Sequence, residues 1–149
     1  WLQSVRPKRK ESMLEKINHL GYAVESIEAA SDFYRVSFGV EPGAPETVEE
    51  QGIVARMFRV GDSMIELIEP THPDSPVGRF LAKRGEGFHH VAFEVSDIEA
   101  TLAALKQHGV ELVDSEPKVG AGGALTAFIH PKGAFGVLTE LVELPHRGR

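Results

Sequence analysis

Two histidines and two glutamates recur at matched places in this sequence, because the sequence repeats itself. The stretch His19–Ala29 (HLGYAVESIEA) returns as His90–Ala100 (HVAFEVSDIEA), so each copy begins with a histidine. About fifty residues later each copy ends with a second repeated stretch. It is IELIE with Glu66 in the first copy and TELVE with Glu140 in the second. Two similar halves packed face to face would bring two imidazoles and two carboxylates to one point, and such a donor set can bind a metal ion.

The donor set of His19, Glu66, His90 and Glu140 limits which ion can bind and what the ion can do. Two imidazoles and two carboxylates suit a borderline divalent ion such as Co²⁺, Zn²⁺, Mn²⁺ or Ni²⁺, and Mg²⁺ is a further candidate. The chain has no cysteine, so a thiolate site is excluded. Four protein ligands of an octahedron leave two positions for substrate or water, as a Lewis-acid catalyst requires.

The first half of the chain supplies the elements that position His19 and Glu66. The β-prone run Ile17–Val24 places His19 on one strand face by its alternation. Ser26 is a helix cap, and an apolar stripe predicts a helix over Ile27–Phe38 that Gly39 ends. Strands are then predicted near residues 46–48, 53–60 and 63–68, the last of which carries Glu66.

The second half repeats this order of elements. A strand is predicted over Phe88–Val95, and Asp97 caps a helix that runs to about His108 before Gly109. Strands are predicted near residues 110–114, 125–129 and 136–143, and a short helix near 77–84 joins the halves. Glu69 and Glu143, at the ends of the last strands, are expected to be solvated. The order β-α-β-β-β, twice, predicts an α+β fold in which two curled sheets form a cleft.

The bulk properties set the domain organisation. A chain of 149 residues is one compact domain by size. We expect residues 1–12 to be a tag or disordered lead-in and residues 13–149 a single domain, with module one at about 14–70, a linker at 71–86 and module two at about 87–145. The net charge of −6 argues against nucleic-acid binding, and no apolar run reaches membrane-spanning length.

Several stretches resemble a known family. The double module with His and Glu at these positions resembles the vicinal oxygen chelate (glyoxalase) superfamily, and within it the methylmalonyl-CoA epimerases. The resemblance covers about Leu14 to Pro145. It is carried by EQGI at 50–53, MIELIEP at 64–70, DSP at 74–76, GEGFHHVA at 85–92, GAGG at 120–123, HPK at 130–132 and GVLTEL at 136–141.

The resemblance implies a reaction and its participants. It implies epimerisation of (2R)- and (2S)-methylmalonyl-CoA by metal-assisted abstraction of the α-proton through an enolate, with a divalent ion held by His19, Glu66, His90 and Glu140. Glu140 would be both ligand and catalytic base on one face. It also implies a curved mixed sheet around the metal-binding cleft, an acyl-CoA substrate, a homodimer, and a bacterial cytoplasm or, in a eukaryote, a mitochondrial matrix as location.

The sequence departs from the family at one position. Some members carry a glutamate four residues after the Gln of the Glu-Gln-Gly motif, where this chain has Ala55. Glu49, Glu50 or a metal-bound water could serve as the second base, and the sequence does not select among them.

Four residues near the repeated motifs have weaker assignments. Strand alternation places His89 opposite His90, which predicts a structural role and makes His89 a poor candidate for a hydrogen bond to a metal-ligating imidazole. His130 lines the pocket or ends a strand, and the sequence favours neither role. Lys118 and Lys132 are candidates for the CoA phosphates, although a solvated surface lysine is the commoner role.

Two alternative functions remain from the sequence. One is different chemistry on the same scaffold: a glyoxalase-like lyase, a metal-dependent thiol transferase or a ring-cleaving dioxygenase. The last two need only three protein ligands, so four retained positions disfavour them. The other is a non-enzymatic module that binds a small molecule. Loss of metal on purification and no ligand-dependent proton exchange would favour that module.

Overall fold

The computed structural model describes residues 12–146, so the predicted lead-in lies almost wholly outside the described residues. Within these residues the structure has three α-helices and eight β-strands, besides three single-turn 3-10 helices. The helices are α1 (Ile27–Phe38), α2 (Pro76–Arg84) and α3 (Ile98–Gln107). The strands are β1 (Lys16–Ala23), β2 (Glu46–Val48), β3 (Ile53–Val60), β4 (Ser63–Pro70), β5 (Gly87–Glu94), β6 (Lys118–Val119), β7 (Leu125–Ile129) and β8 (Thr139–Glu143).

All eight strands form one mixed sheet in the order β2-β3-β4-β1-β5-β8-β7-β6. Each half contributes four neighbouring strands, and the two halves join where β1 pairs antiparallel with β5. On the outer side of this pair, β4 runs parallel to β1 and β8 runs parallel to β5. The sheet therefore places the four strands that carry the repeated His and Glu residues side by side at its centre, which confirms the predicted fold class.

The helix ends follow the predicted caps. The Ser26 side chain accepts a hydrogen bond from the backbone N–H of Ala29, and Gly39 ends α1 in the left-handed conformation with φ of 69°. The Asp97 side chain accepts from the N–H of Ala100 in the same way at the start of α3. α2 starts one residue before the predicted helix, since Pro76 occupies its first turn and Ser75 caps it.

The core consists of two main clusters, one in each half. In the first half, buried side chains of the sheet pack with Val77 of α2, and Phe80 and Leu81 extend the cluster. In the second half, Ile98 and Leu102 of α3 pack on the sheet. This division agrees with a two-module interpretation, while the exact module boundaries remain a prediction. Within the described residues, no helix combines the length and apolar character needed to cross a membrane.

Two strand predictions in the second half are wrong. The strand predicted over residues 110–114 is reduced to a single bridge between Leu112 and Ile129. Its ladder stops because the N–H groups of Val113 and Asp114 both donate to the same oxygen, that of Phe128. The last strand begins at Thr139 rather than at Gly136, since the preceding residues form turns and Gly136 has φ of 91°.

Candidate metal centre

The two repeated histidines meet at the junction of the two halves. His19 lies on β1 and His90 on β5, and the register pairs His19 with Ala92 and His90 with Gly21. Both imidazoles are buried and turn towards each other, with their Nε2 atoms 3.1 Å apart. The face-to-face relation predicted from the repeat therefore brings these two residues together.

The two glutamates approach the histidines from the outer strands. Oε1 of Glu140 on β8 lies 3.0 Å from Nε2 of His90 and 3.2 Å from Nε2 of His19. Oε1 of Glu66 on β4 lies 3.4 Å from Nε2 of His19 and 3.5 Å from Nε2 of His90. Both carboxylates are buried. The structure thus gathers all four predicted site residues at one point, and their role as metal ligands remains a prediction.

The spacing of these donor atoms fits a divalent ion. Ligand atoms of His19, His90 and Glu140 lie within 4.8 Å of one another. Metal–nitrogen and metal–oxygen bonds are about 2.0–2.2 Å long, so two ligand atoms around one ion are about 2.8–3.6 Å apart at right or tetrahedral angles. The distances of 3.0–3.5 Å between imidazole nitrogens and carboxylate oxygens lie in that range.

Gly21 makes room for this arrangement. A Cβ atom built on Gly21 would overlap the imidazole ring of His90, with the Nε2 atom only 2.8 Å away. Real Cβ atoms do not approach ring atoms so closely, so any larger residue would push the ring away. A glycine is therefore required here for close approach of the backbone to a functional side chain.

Burial and mutual contact set the charges of the site. Burial opposes protonation of His19, but its hydrogen bonds to Glu140 and Glu66 outweigh burial and raise its pKa to about 9. The pKa of His90 is raised by the same carboxylates against the effect of burial. Burial opposes ionisation of Glu66 and Glu140, but the two imidazoles hold both carboxyl pKa values below their usual range. The raised imidazole pKa values and the lowered carboxyl pKa values therefore have one cause, the mutual attraction of the two kinds of group.

The residue before each histidine contacts the far side of its imidazole. Oδ1 of Asn18 lies 2.7 Å from Nδ1 of His19, and Nδ1 of His89 lies 2.9 Å from Nδ1 of His90. The prediction that His89 is a poor candidate for such a contact is wrong, since the register of β1 and β5 shifts by one residue there and breaks the alternation. Burial and the nearby charge of His90 lower the pKa of His89 to about 4.

Two further glutamates connect the sheet to the helices. Oε1 of Glu69 accepts a hydrogen bond of 2.9 Å from the N–H of Ile27, the first residue of α1. Oε1 of Glu143 accepts one of 2.9 Å from the N–H of Ile98, the first residue of α3. The prediction that both glutamates are merely solvated is wrong, because helix N-termini attract carboxylates.

A cavity of about 230 Å³ opens beside three of the four site residues. His19, Glu66 and Glu140 line it, together with Glu46, which sequence reasoning missed. The remaining lining residues are Asn18, Gln51, Met57, Met64, Ala121, Gly122, Ala124, Thr126, Val142, Leu144 and Pro145. The cavity therefore offers one more carboxylate than the predicted set.

Glu46 lies on β2 directly across from Ala55 on β3. Directly opposed residues of an antiparallel pair share one face of the sheet. Glu46 thus stands beside the position at which the sequence departs from the family. Glu46, Glu49 and Glu50 are all exposed, but of these three only Glu46 lines the cavity. The sequence signal for Glu46 is its place in the β2–β3 pair. Aligning these two strands residue by residue puts Glu46 opposite Ala55.

The other candidates lie outside the cavity. Nδ1 of His130 accepts a hydrogen bond of 3.0 Å from the N–H of Lys132 and thereby caps a turn. Nζ of Lys118 forms an ion pair of 2.9 Å with the buried Asp114. None of these residues lines the cavity, and contact of Lys118 or Lys132 with phosphates remains a prediction.

Comparisons with known proteins define the class. A family model described as "Glyoxalase/Bleomycin resistance protein/Dioxygenase superfamily" matches residues 18–128. The chain therefore belongs to this superfamily, whose members include the vicinal oxygen chelate enzymes that the sequence resembles. The predicted superfamily is confirmed.

Similar proteins narrow the class further. The ethylmalonyl-CoA/methylmalonyl-CoA epimerase of Cereibacter sphaeroides is 38% identical over 89% of this chain and 100% of its own length. The mitochondrial methylmalonyl-CoA epimerase of Bos taurus is 36% identical over 86% of this chain and 74% of its own length. A structure of the Streptomyces coelicolor methylmalonyl-CoA epimerase with 2-nitronate-propionyl-CoA matches with a TM-score of 0.85 at 42% identity, over 87% of this chain and 94% of that one. The chain belongs to the methylmalonyl-CoA epimerase family.

Proposed function

We propose that this protein is an epimerase that interconverts (2R)- and (2S)-methylmalonyl-CoA. The observation that carries the proposal is the convergence of His19, His90, Glu66 and Glu140 beside a cavity, in a chain whose relatives include methylmalonyl-CoA epimerases. The chemical task is to remove a weakly acidic proton from the carbon between a thioester and a carboxylate and to return it on the other face.

The four convergent residues would hold a divalent ion. The ion would supply Lewis-acid stabilisation of negative charge on the thioester oxygen. His19 and His90 provide nitrogen donors and Glu66 and Glu140 oxygen donors, a combination suited to Co²⁺, Zn²⁺, Mn²⁺ or Ni²⁺. All four side chains are buried, so bulk water has little access to their donor atoms.

Glu140 accepts the α-proton on one face of the substrate. Its carboxyl pKa lies below the usual range because the hydrogen bonds of His19 and His90 outweigh the opposing effect of burial. The carboxylate is therefore ionised at neutral pH and able to take a proton. Because Glu140 also lines the cavity, its side chain borders the space in which the acyl group would lie.

Glu46 serves the opposite face. Of the groups lining the cavity that can carry a proton, His19 and Glu66 are assigned to the ion and Glu140 to the first face, which leaves Glu46. Glu46 stands on β2, at the edge of the sheet, four strands away from β5 and five from β8. The two carboxylates thus approach the cavity from different halves of the molecule, and inversion needs one proton-transfer group for each face of the carbon.

The cavity suits the reactive end of the substrate. Pockets that enclose a whole drug-sized ligand measure about 300–1,000 Å³. The cavity of about 230 Å³ is large enough for the branched acyl group, so the CoA moiety would extend outside it. We further propose a homodimer and a cytoplasmic location, which size-exclusion chromatography with light scattering and fractionation of the source cells test.

A stereochemical assay tests the proposed reaction. The cobalt-loaded protein is incubated with (2R)-methylmalonyl-CoA, and the two epimers are separated and quantified. We expect conversion to an equal mixture, and loss of conversion in His90→Ala, which removes a donor at the centre. His108→Ala is the matched control, because His108 is exposed at the end of α3.

Two other outcomes would contradict the proposal. Turnover of the hemithioacetal of methylglyoxal and glutathione, with no conversion of the acyl-CoA, would assign the glyoxalase-like activity. Tight binding of a small molecule with no reaction, in a protein that takes up no ion, would assign a binding module.

A further inference from the structure

The internal repeat extends to the residues that precede the two histidines. In the antiparallel pairing of β1 with β5 the register shifts by one residue twice. The extra residue is Asn18 on β1 at the first shift and His89 on β5 at the second. An extra residue of this kind interrupts the alternation of side chains and re-aims its own side chain. Both halves therefore depart from regular strand geometry at the same place, one residue before the imidazole.

At both places the re-aimed side chain meets the Nδ1 atom of the next residue. The contact is 2.7 Å between Oδ1 of Asn18 and Nδ1 of His19, and 2.9 Å between the Nδ1 atoms of His89 and His90. The opposite ring nitrogen, Nε2, points to the carboxylates at the centre in both histidines. Each imidazole is thus held through its Nδ1 atom and directs its Nε2 atom towards the carboxylates.

A carboxylate fixes the orientation of the Asn18 amide. Oε2 of Glu94 lies 3.2 Å from Nδ2 of Asn18. A carboxylate only accepts hydrogen bonds, so the amide NH₂ faces Glu94 and the amide oxygen faces His19. The amide oxygen accepts from the N–H at Nδ1 of His19. The neutral imidazole therefore carries its proton on Nδ1 and leaves the lone pair of Nε2 free for the centre.

His89 provides the same function with a different group. When Nε2 of His90 acts as a ligand, its Nδ1 carries the proton. Nδ1 of His89, 2.9 Å away, then accepts this hydrogen bond. The ring of Phe80 packs edge to face against His89 with centroids 4.8 Å apart, which restricts rotation of the accepting imidazole.

We propose that Asn18 and His89 are a matched pair of positioning residues that hold His19 and His90 in the tautomer whose Nε2 atom binds the ion. This inference rests on the metal centre of the proposed function, and it assigns roles to two residues outside the ligand set. Partners of metal-ligating histidines contribute about 10–100-fold to metal affinity.

Leucine variants test the pair by ion affinity. Asn18→Leu and His89→Leu remove the acceptor and retain side-chain bulk. We expect each to weaken Co²⁺ affinity by about 10–100-fold in a competition titration with a chelator, and to change the visible absorption bands of the bound cobalt. His108→Leu, an exposed histidine at the end of α3, should keep the wild-type affinity. Thermal unfolding of the metal-free variants checks that each one folds.

Rescue variants separate positioning from packing. His89→Asn introduces into the second half the amide that the first half uses, and we expect affinity within about threefold of wild type. The double variant Asn18→Asp/Glu94→Gln exchanges donor and acceptor within that pair and keeps an oxygen acceptor for His19. We expect this double variant to bind the ion at least as tightly as the wild type does, since a carboxylate partner raises ligand basicity.

A spectroscopic readout follows the tautomers directly. In long-range ¹H–¹⁵N spectra of the zinc-loaded protein, the Nδ1–H signals of His19 and His90 should appear downfield. Asn18→Leu should shift only the His19 signal and His89→Leu only the His90 signal. Unchanged signals with unchanged affinity would overturn the proposal, and so would equal losses in the leucine and rescue variants.

Failure of this inference and failure of the proposed reaction give different results. If the wild type epimerises but the leucine variants bind the ion with wild-type affinity, only the positioning role is disproved. If the wild type binds the ion, the leucine variants bind it more weakly and the wild type does not epimerise the substrate, only the proposed reaction is disproved. A wild type that binds no divalent ion would overturn the positioning role together with the metal centre.

Discussion

Nε2 of His19 and Nε2 of His90 lie 3.1 Å apart although 71 residues separate them in the chain. The antiparallel pairing of β1 with β5 brings the two residues together, and the parallel neighbours β4 and β8 bring Glu66 and Glu140 to the same point. The centre is thus a product of the repeat: each half supplies one histidine and one glutamate, and neither half contains the centre alone.

Glu140 and Glu143 provide a matched test of the catalytic carboxylate. Both lie on β8, but Glu140 faces the centre, whereas Glu143 accepts from the N–H of Ile98. We expect Glu140→Gln to reduce kcat/KM for epimerisation by about 10²–10⁴-fold, the usual contribution of a positioned base. Glu143→Gln should keep the activity and lower Tm by a few degrees. Equal activity of the two variants would contradict the role of Glu140.

Glu46→Gln tests the base on the second face. The carboxylate lines the cavity and lies opposite Ala55. We expect the variant to lose inversion while Glu140 still exchanges the α-proton with solvent on one face, as measured by deuterium content and chirality of the same sample. The control is Glu49→Gln, because Glu49 is exposed outside the cavity. Full inversion in Glu46→Gln would remove this carboxylate from the mechanism.

Gly21→Ala tests the close approach of the backbone to His90. The added methyl group would overlap the imidazole ring, so the ring must move and its Nε2 atom must leave the centre. We expect a loss of Co²⁺ affinity of at least about tenfold, comparable to the loss of a ligand partner. Gly43→Ala is the control, because its Cβ would meet only the Met57 carbonyl oxygen at 3.5 Å. Normal cobalt affinity of Gly21→Ala would show that the ring can adapt.

The metal-free protein should lose stability as the pH rises through the alkaline range. The pKa of His19 is about 9 in the fold and 6.5 when unperturbed, so its protonated form stabilises the fold below pH 6.5 and this contribution is lost by pH 9. The pKa values of Glu66 and Glu140 lie below 4.5, so their contribution is present above pH 4.5 and is lost on acidification.

Thermal unfolding after chelation checks the sign of this dependence. Tm should be highest between about pH 4.5 and 6.5 and should fall by several degrees towards pH 9. His19→Gln should reduce the fall, since it removes one of the two imidazoles whose pKa is raised. A Tm that rises between pH 6.5 and 9 in the metal-free protein would contradict the assigned charges.

The repeat was sufficient to predict the main elements and the four residues at the centre. The caps at Ser26 and Asp97 and the periodic apolar stripes define α1 and α3, and the echoed His and Glu positions imply a common point. These signals are local or appear twice, so a single sequence can reveal them.

The residues that the sequence missed depend on register. Strand alternation places His89 on the wrong face, because a one-residue shift between β1 and β5 breaks the alternation. No residue type in the sequence indicates that shift. Glu46 was missed because its position follows from pairing with Ala55 rather than from a motif. The strand predicted at 110–114 failed for a similar reason, since two N–H groups there share the Phe128 oxygen.

Epimerisation at the metal centre is tested by following the α-carbon of (2R)-methylmalonyl-CoA in D₂O with the cobalt-loaded protein. Deuterium incorporation and chirality are measured together, with His90→Ala as the control that lacks one donor of the centre. We predict that deuterium enters the α-position as the (2S) form appears, and that His90→Ala loses both. Absence of deuterium after prolonged incubation of an ion-loaded, folded protein would show that the centre does not abstract the α-proton.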